Sequence, residues 1–145
     1  CVRLLIEKGC DVDARESQGL TPLHYGIRSS DMDIVRLLIL GTIYEKGCDL
    51  HARTNQGWTP LHYAARWGRM DSVRLLIWTE RCYIDARDNM GQTPLHYAAS
   101  GGNFDCVRLL IEKGCDIHAR DDMGQTRLHY AAVGGTVGCV RLLIE

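Results

Sequence analysis

The chain has 145 residues, of which 46% are hydrophobic and 24% charged, and its formal net charge is −1. This length is enough for one domain with a hydrophobic core. Nucleic-acid binding needs clustered positive charge, and a membrane span needs roughly 20 apolar residues in a row, so we expect neither nucleic acid nor a membrane as a partner.

Two short phrases recur along the chain. Thr-Pro-Leu-His begins at residues 21, 59 and 93, and Thr-Arg-Leu-His begins at residue 126, which gives offsets of 38, 34 and 33. Val-Arg-Leu-Leu-Ile begins at residues 2, 35, 73, 107 and 140. A fixed period of this kind indicates a repeat protein in which each copy forms one structural unit.

The first phrase predicts the start of a helix. Threonine can cap the free N–H groups of the first turn, and proline suits the first helical position because no donor is needed there. Glycine then ends the helix, since it adopts the left-handed conformation without a Cβ clash. We expect these first helices to begin at Pro22, Pro60 and Pro94, and to end near Gly68, Gly102 and Gly135.

The second phrase predicts a second helix in each copy. An aspartate in its first turn favours the helix dipole, and an arginine three residues later offers a modest ion pair. The phrase Glu-Lys-Gly-Cys-Asp then ends the helix at glycine, and a polar stretch such as residues 88–91 makes a tight turn. The aspartates and arginines concerned are Asp33 and Arg36, Asp71 and Arg74, and Asp105 and Arg108.

These residues resemble the ankyrin repeat, which shares the 33-residue period and the Thr-Pro-Leu-His-x-Ala phrase. The resemblance covers the whole chain and implies an all-α fold, an ankyrin-repeat solenoid of stacked helix-turn-helix units joined by β-turn hairpin loops. It also implies a concave face made of turn tips and first helices. We expect a single ankyrin repeat domain over residues 1–145, with a partial repeat at 1–14, repeats at 15–52, 53–86 and 87–119, and a partial last repeat at 120–145.

The terminal helices carry the same apolar phrase as the internal ones, whereas a terminal cap would be more polar on its outer side. The chain also begins at Cys1 without an initiator methionine. We therefore expect a fragment of a longer protein, with ends that fray at residues 1–8 and 137–145. Two alternatives to a simple binding module stay open: a regulatory domain of a larger enzyme or channel, and an engineered scaffold or spacer with no natural partner.

Two neighbouring corners depart from the repeat. The second copy has an insertion at residues 40–44, and the third copy is one residue longer where it reads Trp78-Thr79-Glu80-Arg81-Cys82. Ile43, Tyr44 and Trp78 either cover one another as a local apolar patch or form an additional contact surface.

The seven cysteines follow the repeat instead of a disulfide pattern. Equivalent positions in adjacent repeats lie roughly 10 Å apart, beyond the Cα separation of about 7 Å that a disulfide tolerates. We expect reduced, buried cysteines and hence a reducing compartment, the cytoplasm, with the nucleus as an alternative.

The histidines of the first phrase also recur once per repeat, and no Cys-x-x-Cys or His-x-x-x-His pair is present. We therefore expect structural histidines that bond to the neighbouring turn, and neither a metal nor a cofactor. No catalytic motif appears, so we expect no enzyme activity. The residues concerned are His24, His62, His96 and His129.

Asp13, His51, Asp85 and His118 occupy a slot that usually holds asparagine in the family that the chain resembles. The resemblance implies that this side chain braces the hairpin. It also leaves hydroxylation by asparaginyl hydroxylases as an open alternative.

By resemblance, a partner protein contacts the turn tips and the exposed ends of the first helices. Tryptophan and arginine supply most interface hot spots, and the second copy offers Trp58, Arg66 and Trp67. The alternative is that both tryptophans pack on neighbouring turns. We expect a monomer, with end-to-end contact through the terminal repeats as an alternative. The candidate partner-binding residues are Leu20, Arg28, Gln56, Trp58, Arg66, Trp67, Met90, Gln92, Met123 and Gln125.

Overall fold

The described chain consists of helices that are joined alternately by short turns and by longer hairpin loops. The structure, a computed structural model, describes residues 2–41, 47–79 and 82–145. Its helices are α1 (Val2–Glu7), α2 (Pro22–Ser29), α3 (Met32–Leu40), α4 (Pro60–Arg66), α5 (Met70–Trp78), α6 (Pro94–Ser100), α7 (Phe104–Glu112), α8 (Arg127–Gly134) and α9 (Val137–Ile144). These residues contain no regular β-strand, and the predicted all-α class is confirmed. None of the described helices is long and apolar enough to cross a membrane.

The first helices begin where the sequence predicts, at Pro22, Pro60 and Pro94. In each copy the threonine before the helix and the histidine three residues later form a capping box, in which the histidine replaces the usual glutamate or glutamine. The fourth copy has arginine in place of proline, yet α8 begins at Arg127 with the same capping box. The capping box and the helix start are therefore kept in this copy without the proline.

Left-handed residues end the first helices. Gly68, Gly102 and Gly135 have φ angles of +64°, +67° and +68°, as the sequence predicts. The equivalent residue of the first copy is Ser30, whose φ of +62° makes it the only described residue other than glycine with a positive φ. A side chain in this conformation costs roughly 1–2 kcal/mol, so this turn holds local strain that the other copies avoid.

The helices form two layers around one continuous core. The first helices α2, α4, α6 and α8 pack side by side, and the second helices α3, α5, α7 and α9 pack behind them. Leu23 and Leu61 from the first layer and Val35 and Val73 from the second are completely buried. Each repeat covers the apolar side of its neighbour, which is the physical basis of a solenoid.

The β-turn tips of successive repeats are joined through their backbones. The N–H of Asn55 donates to the carbonyl of Gln18 at 2.9 Å, and the N–H of Asn89 donates to the carbonyl of Gln56 at 3.1 Å. Gly57, with a φ of +81°, lies between these tips, and a Cβ at this position would approach Asn89 Oδ1 to 2.5 Å. Glycine is therefore required both by the turn and by the closeness of the next repeat.

The two irregular corners are only partly described. Helix α3 ends at Leu40 with Gly41 as its C-cap. Residues 42–46, which include the rest of the insertion, lie outside the described residues, as do residues 80 and 81. Both interpretations of Ile43 and Tyr44 therefore fall outside the described chain. Trp78, at the end of α5, is 73% exposed.

Most of the cysteines match the prediction. Cys48, Cys106, Cys115 and Cys139 are free and buried, and Cys82 is free and half-buried. The prediction is wrong for Cys10, which is exposed. Cys10 lies three residues after the end of α1, the first of the described helices.

The predicted ion pairs between aspartate and arginine are also wrong. Among the described residues, there are two side-chain ion pairs, and both join an arginine to the glutamate four residues later. Arg3 Nε lies 3.3 Å from Glu7 Oε1, and Arg108 Nε lies 3.1 Å from Glu112 Oε1. Side chains four apart also lie on one helix face, and the longer glutamate reaches the guanidinium. The first-turn aspartates Asp33, Asp71 and Asp105 do occupy the helix starts.

Candidate partner-binding surface

Three buried histidines link each repeat to the next. Nδ1 of His62 accepts the backbone N–H of Thr59 at 3.1 Å, so it carries no proton. Its Nε2 is therefore protonated and donates to the carbonyl oxygen of Gln92 at 3.0 Å. His24 and His96 form the same bonds, with the carbonyls of Trp58 and Gln125 as acceptors. The prediction of structural histidines that bond to the neighbouring turn is confirmed for these three. His129, in the last copy, is exposed and bonds to Thr126 at the start of its own helix.

These histidines are neutral at pH 7. Burial lowers the pKa of His24 to about 4, and burial also lowers the pKa values of His62 and His96. The carbonyl acceptors belong to the residues that directly follow the turn tips. The histidines thus fix the position of each turn relative to the preceding repeat. Because they are neutral, they add no charge to the surface.

A tyrosine follows the histidine of the first phrase in all four copies, and together Tyr25, Tyr63, Tyr97 and Tyr130 form a column along the first helices. The rings of Tyr63 and Tyr130 pack edge-on against the histidine of the preceding repeat, with centroids 5.1 and 5.2 Å from His24 and His96. Our sequence reasoning missed this column. The signal was present, since the variable position of the Thr-Pro-Leu-His-x phrase is tyrosine in all four copies.

Hydrogen bonds tie two of these tyrosines to the turns. The hydroxyl of Tyr97 donates to Asp88 Oδ2 at 2.6 Å, and that of Tyr130 donates to Asp121 Oδ2 at 2.7 Å. Burial, and then the bond to Asp121, raise the pKa of Tyr130 to about 12, and burial followed by the bond to Asp88 raises the pKa of Tyr97. The other oxygen of Asp88 accepts two backbone N–H groups of its own turn, so helix and turn form one rigid unit.

The side chain of Trp58 packs against two tyrosines of the first helices. Its half-buried ring lies between Tyr63 and Tyr97, with centroid distances of 5.1 and 4.4 Å. This arrangement matches the alternative interpretation in which the tryptophan packs on neighbouring repeats.

Trp67 has different surroundings. It is 51% exposed at the C-cap of α4, and the guanidinium of Arg66 lies 5.4 Å from its ring centroid. The seven residues of α4, about 10 Å at 1.5 Å per residue, separate it from Trp58. The two tryptophans therefore do not form a single cluster.

The remaining candidate residues divide by exposure. Arg28, Gln56, Met90 and Met123 are exposed, and Gln125 is half-buried. Leu20 and Gln92 are each only 7% exposed. The side chain of Gln92 donates to the hydroxyl of Tyr130, so it supports the frame. Leu20 and Gln92 therefore belong to the frame and not to the exposed surface.

Equivalent tip positions form what we call the tip row: Gln18, Gln56, Met90 and Met123. All four side chains are exposed, and the backbones beneath them are joined from repeat to repeat. Neighbouring members lie roughly one helix spacing apart, about 10 Å. The row changes from amides in the first two copies to thioethers in the last two.

Asp13 and Asp85, at the position that usually holds asparagine in the family that the chain resembles, brace the turns. Asp13 Oδ1 accepts the N–H of Asp49 at 2.8 Å, and Asp85 Oδ1 accepts that of Asp116 at 2.8 Å. The bracing that the resemblance implies is thus confirmed for both aspartates. His51 and His118 are exposed at the same slot.

Comparison with known families agrees with this architecture. A model of three ankyrin repeats matches residues 39–121 and 71–145, and a model of many ankyrin repeats matches residues 5–64. Together the matches extend from residue 5 to the end of the chain. A search of curated proteins found no match.

Proposed function

Because the chain belongs to the ankyrin repeat family, whose members are generally protein–protein interaction modules, we propose that it binds a partner protein through its tip row and first helices. By resemblance this is the concave face. The proposed role is non-enzymatic, as is typical of the family. The partner is expected to be held by a monomer of this chain.

The observation that carries the proposal is a set of exposed aromatic and thioether side chains on a rigid frame. Tyr25 is 49% exposed, Trp67 51%, Met90 54% and Met123 74%. Tyrosine and tryptophan bury a large area at little entropic cost, and methionine adapts to irregular surfaces. The inter-repeat hydrogen bonds beneath these side chains limit the entropy that binding would otherwise lose.

Three kinds of contact follow from the residue types. Met90 and Met123 offer an apolar end of the tip row, and Gln56 offers hydrogen bonds at the other end. Arg28 and Arg66, at the far ends of the first helices, favour carboxylates of the partner. Trp58 contributes mainly by supporting Tyr63 and Tyr97.

A reducing compartment, the cytoplasm or the nucleus, is the location we propose. The buried free cysteines support it: burial raises the pKa of Cys48 and of Cys115 to about 12, so neither exists as a reactive thiolate at neutral pH.

Affinity capture with matched baits tests the proposed surface. We expect the natural chain to retain a partner from cell lysate that the double variant Met90→Glu, Met123→Glu releases. Val137→Glu, which places the same charge on a residue 66% exposed at the start of α9, is expected to retain it. Thermal unfolding of each bait is the control that checks whether the substitutions leave the fold intact. Equal retention by the double variant would contradict the assignment of the tip row.

A further inference from the structure

The second helices differ at one exposed position. The residue four after the repeated arginine is glutamate in α1, α7 and the end of α9, but it is Leu40 in α3 and Trp78 in α5. In α1 and α7 this glutamate pairs with the arginine, as the Arg3–Glu7 and Arg108–Glu112 distances show. The two central helices lack the carboxylate that their equivalents provide.

The substitutions have two effects on the surface. Among the described residues, no carboxylate oxygen lies within 4 Å of the guanidinium of Arg36 or Arg74, although both residues are exposed. In place of glutamates, the surface presents Leu40, 55% exposed, and Trp78, 73% exposed. An exposed tryptophan beside arginines that form no ion pair within the described part of the chain combines the residue types that dominate protein interfaces.

Both arginines line a groove of about 510 Å³ that crosses α3, α5 and α7. Among the described residues, the charged groups that line it are Arg36, Arg74 and Lys113 and the carboxylate of Asp71, which is an excess of positive charge. The apolar lining is formed by Met32, Leu75, Ile77, Trp78 and Leu109. The groove lies on the second-helix layer and is separate from the tip row.

We propose that this groove docks an acidic amphipathic helix of a partner protein, whose carboxylates pair with Arg36 and Arg74 in place of the glutamates absent from α3 and α5. The two arginines occupy equivalent positions on neighbouring helices, roughly 10 Å apart. Glutamates seven residues apart on one face of a helix are separated by about the same distance. Leucines between them reach the apolar lining beside Trp78.

A synthetic helical peptide provides the probe. It carries glutamates at positions i and i+7 and leucines at positions i+3 and i+4. A fluorescein label reports binding through fluorescence anisotropy. The control peptide has glutamine in place of both glutamates. We expect saturable binding of the glutamate peptide that is at least about tenfold tighter than binding of the control and that weakens as salt is raised.

Variants of the chain test the arginines. Arg36→Gln with Arg74→Gln is expected to weaken binding at least about tenfold, whereas Arg108→Gln, which removes an arginine already paired with Glu112, leaves it unchanged. The most direct test restores the missing carboxylate of α3 in the double variant Leu40→Glu, Trp78→Ser. The double variant Leu40→Gln, Trp78→Ser is its neutral control. We expect the glutamate form to bind more weakly than the glutamine form, because the introduced carboxylate then competes for Arg36.

Glu45 and Glu80 are the acidic residues that follow these helices most closely in the sequence, and both lie outside the described residues. The variant Glu45→Gln, Glu80→Gln is expected to leave peptide affinity unchanged. A gain of about tenfold would show that these carboxylates already occupy the arginines and would overturn the proposal. Absence of saturable binding, or equal binding of the glutamate and glutamine peptides, would overturn it as well. These outcomes concern the groove alone, and they leave the capture of a partner through the tip row as a separate question.

Discussion

Nε2 of His62 donates to the carbonyl oxygen of Gln92, 30 residues later in the chain, at 3.0 Å. The same ring accepts the N–H of Thr59 through Nδ1, so one neutral imidazole caps its own helix and holds the next turn. A second proton on this ring would leave two N–H groups directed at each other. The stacking of repeats is thereby coupled to the protonation state of the histidines.

We expect the free energy of unfolding to fall as the pH is lowered from about 6.5 towards 4. Burial lowers the pKa of His24 to about 4 and lowers those of His62 and His96, so in this window the unfolded chain binds protons that the folded chain excludes. Each fully neutral histidine contributes up to about 1.4 kcal/mol per pH unit. Urea unfolding at pH 7.5, 6.5 and 5.5 measures this slope.

Matched variants assign the slope to the buried rings. His62→Gln keeps a side chain suited to the capping box, and we expect it to reduce the slope. His118→Gln, at an exposed histidine, is expected to leave the slope as it is. A stability that does not change between pH 7.5 and 5.5 would contradict the coupling.

The two tryptophans of the second copy are expected to differ in their effect on stability. Trp58→Ala removes a ring packed between two tyrosines and is expected to lower the free energy of unfolding by about 2–3 kcal/mol. Trp67→Ala removes a ring that is 51% exposed and is expected to lower it by less than about 1 kcal/mol. Chemical denaturation of both variants measures the difference, and equal losses would be inconsistent with the packing of Trp58 between two tyrosines.

The sequence predicted the fold well because the same phrases recur in register. The helix starts at Pro22, Pro60 and Pro94 depend on local capping chemistry, which a single repeat already contains. The histidine bonds followed from the same regularity, since one histidine per repeat has no metal geometry and has a neighbouring turn within reach.

The surface was harder to predict because exposure depends on the neighbouring repeat. Leu20 and Gln92 belong to turn tips in the sequence, but the stacking of repeats buries them. Trp58 and Trp67 are nine residues apart, and only the intervening helix shows that they lie at opposite ends of it. The ion pairs of the second helices depend on side-chain length, which the spacing of charges alone does not reveal.

Ser30→Gly is expected to stabilise the protein by about 1 kcal/mol, because Ser30 has a φ of +62° where the other copies have glycine. The reverse change, Gly135→Ser, is expected to destabilise it by a similar amount. A Cβ on Gly135 would meet no atom within 4 Å, so this change tests conformation without a steric clash. Ser29→Gly, one residue earlier and within α2, is expected to destabilise, and stabilisation by both Ser29→Gly and Ser30→Gly would contradict the argument.

Thiol labelling is expected to distinguish Cys10 from the cysteines of later repeats. Cys10 is exposed, whereas burial raises the pKa of Cys48 to about 12 and that of Cys106 to about 11, which removes both the access and the thiolate that labelling needs. In a Cys1→Ser background, because Cys1 lies outside the described residues, we expect one thiol to react with maleimide at least about tenfold faster than the others. Adding Cys10→Ser is expected to abolish this fast phase, and adding urea is expected to make all remaining thiols reactive. A fast phase that survives Cys10→Ser would show that a repeat further along the chain opens readily, and that stacking protects its cysteine less than the buried position indicates.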